Sequence, residues 1–207
     1  MTVDPPKLAV LVSGGGRSLE NLAETIARGE LNARLNLVVS TKAKAFALER
    51  AQRLSIPFTV IDEPRELANE EYSAQVFEAV EQAGCDLVVL AGFLRLLLIP
   101  DHWRGRVLNI HPSLLPAFGG KGYYGSRVHA AVLERGCWFS GCTVHYVDNE
   151  YDQGPILLQR SVRVDPDDSV ETLAERVFAE EKLALPEAIR LHVSGESPAT
   201  RRAREAR

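Results

Sequence analysis

The residues best equipped for chemistry lie in Asn109-Ile110-His111-Pro112-Ser113-Leu114-Leu115-Pro116. In a strand, side chains two positions apart share a face, so Asn109 and His111 point one way and Ile110 the other. Pro112 ends the pairing, which leaves an amide and an imidazole at the carboxyl end of the strand. Such a pair can stabilise charge developing on an oxygen and can handle a proton. An Asn and a His that merely close a strand with hydrogen bonds are the equal alternative for the pair alone. Asp152, in Asp148-Asn149-Glu150-Tyr151-Asp152-Gln153-Gly154-Pro155, would tip that balance. A carboxylate beside a histidine raises its pKa and fixes its orientation. Spacing alone does not bring Asp152 to His111, and a solvated acidic turn is the plainer reading of such a charge run.

A second cluster, Ser13-Gly14-Gly15-Gly16-Arg17-Ser18, joins an apolar run to an amphipathic pattern. Glycines let the backbone approach a ligand closely, the first amides of a helix favour an anion, and Arg17 adds a cation there. Phosphate binding is the favoured reading over a bare strand-to-helix turn. The dinucleotide fingerprint fails, because position 19 is Leu19 and Ser40-Thr41-Lys42 stand where an acid is needed. The Walker pattern fails too, since Gly120-Lys121 is followed by Gly122. A small phosphorylated substrate fits better than NAD or ATP. Glu181 continues the helical stripe of Val170, Leu173, Ala174 and Val177, where an acid must snorkel, find a partner or face a ligand. His129, at a helix start, and His145, inside a strand pattern, read as structural. Tyr123 and Tyr124 line a pocket or pack a loop.

The elements that must position these groups alternate in the first half. Strand patterns at 7–13, 33–40, 57–61, 86–91 and 106–111 are separated by helical patterns at 43–53 and 66–83 and after the first glycines. The second half has an irregular segment at 112–126, a helix near 128–134, strands at 142–147 and 156–163, and a last helix with Asp168 as N-cap. That helix is expected to kink or break at Pro186. The fold expected is one α/β domain, residues 1–194. Its sheet is mainly parallel and twisted, with helices on both faces and antiparallel strands in the second half. The polar tail 195–207 is expected to fray.

Composition bounds the function. The chain has 207 residues, 45% hydrophobic and 25% charged, with a formal net charge of -4. An acidic chain lacks the basic face that nucleic acid requires. No run approaches the roughly 20 apolar residues of a membrane helix. Cys85, Cys137 and Cys142 are an odd number with no metal-ligand pattern, so a reducing, cytoplasmic setting without a metal is expected.

Taken together, SGGGRSL, VVLAGFLRLL, NIHPSLLP and VDNEYDQGPILLQ resemble the folate-dependent formyltransferases, over about Lys7 to Leu191. The N-terminal glycine loop points to the glycinamide ribonucleotide branch. The resemblance implies formyl transfer from 10-formyltetrahydrofolate to the glycinamide amine of 5-phosphoribosylglycinamide in de novo purine biosynthesis. The alternatives are another amine acceptor, such as an amino-sugar nucleotide, or a non-catalytic folate- or phosphosugar-binding relative. It implies catalysis by Asn109, His111 and Asp152, with His129 close by, and substrate binding by Gly15, Gly16, Arg17, Ser18 and Glu181. Formylfolate would contact Leu94, Arg95, Leu96, Leu97, Asn109 and the turn Asp148, Asn149, Glu150, Tyr151 and Asp152. Arg65 is the candidate partner of the folate tail. Small-molecule substrates, no nucleic acid, no membrane, no metal, and a monomer or homodimer are the partners implied.

Overall fold

Strands β1 (Lys7–Val12) and β4 (Leu87–Leu90) are almost wholly apolar, and their residues from Leu8 and Leu87 onward are buried. Near-continuous apolar runs of this kind belong to parallel strands covered on both faces. The computed structural model describes residues 4–62 and 67–195, so Arg65 and the tail from 196 lie outside the described residues. It divides into two compact units, the first ending at Asn109 and the second beginning at Ile110.

The first unit contains β1, α1 (Arg17–Ala27), β2 (Arg34–Ser40), α2 (Phe46–Arg53), β3 (Phe58–Val60), α3 (Asn69–Gln82), β4 and most of β5 (Val107–His111). All its strand pairs are parallel: β1 with β2 and β4, β2 with β3, and β4 with β5. The chain proceeds outward from β1 to β3, then resumes on the other side of β1 with β4. Parallel crossovers are right-handed, so this reversal puts α1 and α2 on one face and α3 on the other. Helix α3 buries Tyr72, Val76 and Val80 completely, and such burial contributes about 1.5–3 kcal/mol per large apolar side chain. It ends at Ala83 against Gly84, whose φ of 63° suits a helix stop.

The second unit contains α4 (Ser126–Glu134), β6 (Phe139–Tyr146), β7 (Ile156–Arg163) and α5 (Val170–Val193). Strands β6 and β7 pair antiparallel. The seven strands follow the order β3-β2-β1-β4-β5-β6-β7, which is the mixed, mainly parallel sheet expected. The unit boundary falls inside β5, not in a linker.

Two expectations for α5 are corrected. Its N-cap is Ser169, which exchanges hydrogen bonds with Thr172 in a capping box, and not Asp168. Asp168 instead takes the Arg176 guanidinium, which holds its carboxyl down to about 2. The helix also runs on through Pro186. The ring removes one backbone donor, and its burial between Leu185 and Ala188 supplies packing that offsets the loss. No described helix is long and apolar enough to cross a membrane.

Candidate active site

The reversal of strand order in the first unit lies between β1 and β4, where open α/β sheets bind ligands. Two loops leave the carboxyl ends of these strands: Ser13–Arg17 after β1 and residues 91–97 after β4. Ser13 N–H donates to Gly92 O at 3.1 Å, and Leu94 N–H to Ser13 Oγ at 3.4 Å. Gly16 caps α1 at φ 73°, and a Cβ there would sit 2.6 Å from the Ala47 Cβ. Only glycine fits. Arg17 opens α1 and is exposed, with Ser18 following. Leu94 is exposed while Leu97 is buried. The Arg95 side chain turns to α3: it donates to Asn69 Oδ1 and Leu67 O and lies 4.3 Å over the Tyr72 ring. In register, Leu11 pairs with Leu90 and Leu90 with Asn109, so Asn109 lies on the same carboxyl edge as both loops.

Two residues beyond Asn109, the second unit gathers a buried cluster. His111 Nδ1 is 3.6 Å from Asp152 Oδ2, and His145 Nε2 is 3.6 Å from Asp152 Oδ1. The histidine side chains are 5% and 2% exposed and the carboxylate 10%, so all three are shielded from water. His111 Nε2 donates to Phe118 O at 2.8 Å, and His145 Nδ1 to Tyr146 O at 2.9 Å. Carbonyls only accept, so these two nitrogens carry protons, and in His111 the nitrogen facing Asp152 is the one that gains or loses one. Gly120 N–H donates to Asp152 Oδ2 at 2.8 Å.

The loop after β5 is pinned beneath this cluster. Thr143 Oγ1 donates to Ser113 O at 2.7 Å and accepts from Leu115 N–H at 3.0 Å. Gln159 Nε2 donates to Leu115 O at 2.9 Å and to Thr143 Oγ1 at 3.0 Å. Ser113 Oγ donates to Ala117 O, which sets the chain just before Phe118. These bonds tie the segment that leads to Phe118 to β6 and β7.

Electrostatics corrects one expectation. His111 lies below its ordinary value, because burial outweighs the opposing pull of the Asp152 carboxylate and the Phe118 carbonyl. In the resting protein it is therefore neutral at neutral pH, and the rise in pKa expected from a neighbouring carboxylate is outweighed. For Asp152, burial is the largest single influence and pushes upward. The His145 hydrogen bond, the His111 field and the Gly120 amide together overcome it, and the carboxyl stays below its usual range. His129 is also depressed, first by burial and then by His111. Both histidines bind their proton more weakly folded than unfolded. Stability is therefore full above the unfolded value of 6.5 and is lost as pH falls from there toward the folded values. Thermal melts should show Tm falling as pH drops below the unfolded value of 6.5. A flat Tm there would contradict the depressed values.

His145, read as structural from the sequence, is thus part of the cluster. One signal was available: Thr143 and His145 alternate with Val144, polar against apolar, in a strand otherwise buried. His129 is buried on α4 with Nδ1 lacking a hydrogen-bond partner. Glu181 is half-buried on α5 and its field reaches Cys142. Asp148 accepts from Glu150 N–H at 3.0 Å within the turn that leads to Asp152; Asn149 and Glu150 are exposed and Tyr151 is half-buried. Tyr123 packs edge-on to Phe118 at 6.1 Å, and Arg127 lies over the Tyr124 ring. No group of three or more metal-binding side chains occurs among the described residues.

A carboxylate held ionised between two buried histidines is equipment for proton transfer, on a fold that receives ligands along one sheet edge. Residues 6–189 match the formyl transferase family, and the chain belongs to it. It is 43% identical over 191 residues to the trifunctional purine biosynthetic protein adenosine-3 of Gallus gallus, covering 91% of this chain and 18% of that protein. It is likewise 43% identical over 178 residues to the chloroplastic phosphoribosylglycinamide formyltransferase of Arabidopsis thaliana, covering 84% and 61%. The chain thus spans less than two thirds of the length of these curated relatives. Among solved structures, glycinamide ribonucleotide transformylase 1 from Symbiobacterium toebii superposes with a TM-score of 0.85 at 39% identity, covering 93% of this chain and 89% of that one. A phosphoribosylglycinamide formyltransferase from Coxiella burnetii gives 0.84 at 34% identity, with 92% and 88% covered.

Proposed function

We propose that this chain transfers the formyl group of 10-formyltetrahydrofolate to the glycinamide amine of 5-phosphoribosylglycinamide, a step of purine biosynthesis. The observation that carries this reading is the buried His111–Asp152 pair, two residues after Asn109, in a chain of the formyl transferase family. The catalytic domain is residues 1–194. Its three unpaired cysteines suit a reducing, cytoplasmic setting, and it acts as a monomer or homodimer.

When bound, the folate supplies an electrophilic formyl carbon attached to a nitrogen that leaves once protonated. An exposed Leu94 at the sheet's carboxyl edge offers apolar surface suited to a flat ring system. The family's folate contacts correspond to Leu94 to Leu97 in the first unit and to Asp148 to Asp152 in the second; Arg95 would contribute its backbone, since its guanidinium is engaged on α3. Asn109 donates to the formyl oxygen as the amine adds and charge develops there. His111 Nδ1, unprotonated at rest, accepts the proton that the amine nitrogen sheds. The Asp152 carboxylate beside Nδ1 supports the resulting imidazolium until it returns the proton to the departing nitrogen. His145 holds the far oxygen of Asp152. Gly15, Gly16, Arg17 and Ser18 take the acceptor's phosphate, and Glu181 meets its ribonucleotide part.

Arg17→Ala is expected to raise KM for the phosphorylated acceptor more than it lowers kcat, because the phosphate is remote from the bond being made. An unchanged KM would leave the loop amides as the whole of the anion site. The function itself is tested by assaying the purified protein with 10-formyltetrahydrofolate and a panel of amines that includes 5-phosphoribosylglycinamide and amino-sugar nucleotides. Turnover of the glycinamide alone supports the reading. Preference for another amine, or binding without turnover, overturns it.

A further inference from the structure

The glycine loop is braced from α2 in a way that sequence motifs do not disclose. Gly14 O accepts from Ala47 N–H at 3.1 Å, and Gly15 O accepts from Arg50 Nη1. The same guanidinium places Nε 3.1 Å from Glu20 Oε2 on α1 and lies 4.8 Å over the Phe46 ring. Its side chain is only 16% exposed, which is low for an arginine at a sheet edge. Arg53 occupies the other oxygen of Glu20.

In a trans peptide the N–H points opposite to the C=O. Turning the carbonyls of Gly14 and Gly15 toward α2 therefore turns the N–H groups of Gly15 and Gly16 away from it, in succession. Successive amides aligned this way form a concavity for an anion. The Arg50 charge is matched by Glu20, so its contribution is orientation, while Arg17 supplies the field.

We propose that Arg50 is a positioning residue for phosphate recognition: by fixing the Gly15 carbonyl and Glu20 together, it aims the loop amides at the acceptor's phosphate. This rests on the phosphate-loop reading given above.

The test compares wild type, Arg50→Met, Arg50→Lys and Glu20→Gln. Each is assayed with 5-phosphoribosylglycinamide and with the corresponding riboside lacking the phosphate, and each is melted to check folding. In Arg50→Met, KM for the phosphorylated acceptor should rise roughly 10- to 100-fold, the scale of losing a charge-assisted hydrogen bond and the order it imposes. KM for the folate and kcat/KM for the riboside should stay at wild-type values. Arg50→Lys should recover part of the loss, since an ammonium keeps the charge beside Glu20 or reaches the Gly15 carbonyl but does not do both. Glu20→Gln should raise the same KM by a smaller factor with Arg50 still present, which separates positioning from misfolding. Equal losses on both acceptors would make Arg50 a merely structural residue and overturn the proposal, as would unchanged kinetics in a wild type that prefers the phosphorylated acceptor. A wild type that formylates neither acceptor would instead overturn the functional reading, and this proposal with it.

Discussion

Asp152→Asn is expected to lower kcat by about 10²–10⁴, the range for disabling positioned acid–base chemistry. The amide keeps the carboxylate's shape and can still accept from Gly120 N–H, so the turn should hold. The charge between two buried histidines is lost, however. The imidazolium that His111 must become would then form in a dry site with no counter-charge, which raises the barrier when the amine sheds its proton. KM for the phosphorylated acceptor should change little, since its phosphate is held by the glycine loop and not by Asp152. Steady-state kinetics beside a thermal melt check this. Near-normal turnover in a folded variant would reduce Asp152 to a turn residue.

Gly154→Ala should cost both stability and activity. A Cβ at Gly154 would lie 1.8 Å from Tyr146 O and 2.9 Å from its carbonyl carbon, both backbone atoms that no rotamer change can clear. The turn must shift, at about 1–3 kcal/mol for overpacking, a fall in Tm of roughly 2–12 °C in a domain of this size. Asp152 lies two residues upstream at a left-handed φ of 58° and moves with the turn. Displacing a positioned group by about 1 Å can cost on the order of 10² in rate, so kcat should fall by about that factor even below the melting range. Gln153→Ala, exposed in the same turn, is the control and should leave both unchanged. Normal kinetics in Gly154→Ala would mean that the turn does not set the position of Asp152.

Much of this was legible in the residues. The apolar runs of β1 and β4 announced buried parallel strands, and Pro112 after Asn109 and His111 marked a strand end facing outward. What stayed hidden depended on distance across the fold. The nearness of Asp152 to His111 could be expected from the resemblance but not from spacing. His145 looked like any histidine in a strand. Its aim at Asp152 is set beside a register irregularity between Val144 and His145, and such bulges redirect side chains without a clear sequence mark. The neutral resting state of His111 was missed because a sequence shows the neighbouring acid but not the burial that outweighs it. Asp168 and Ser169 are both competent caps, and which one closes α5 was decided by Arg176 drawing Asp168 away. Pro186 stays inside α5 with its ring buried, a packing role that its sequence position does not reveal.

His111 rests neutral and is supported by Asp152 when it takes a proton. Titration of His111 by NMR in histidine-labelled protein, wild type and Asp152→Asn, tests this most directly. In wild type the midpoint should lie below the ordinary 6.5, and in Asp152→Asn it should fall further, because burial remains while the opposing carboxylate is gone. A wild-type midpoint at or above 6.5, or one that does not move in the variant, would contradict the account.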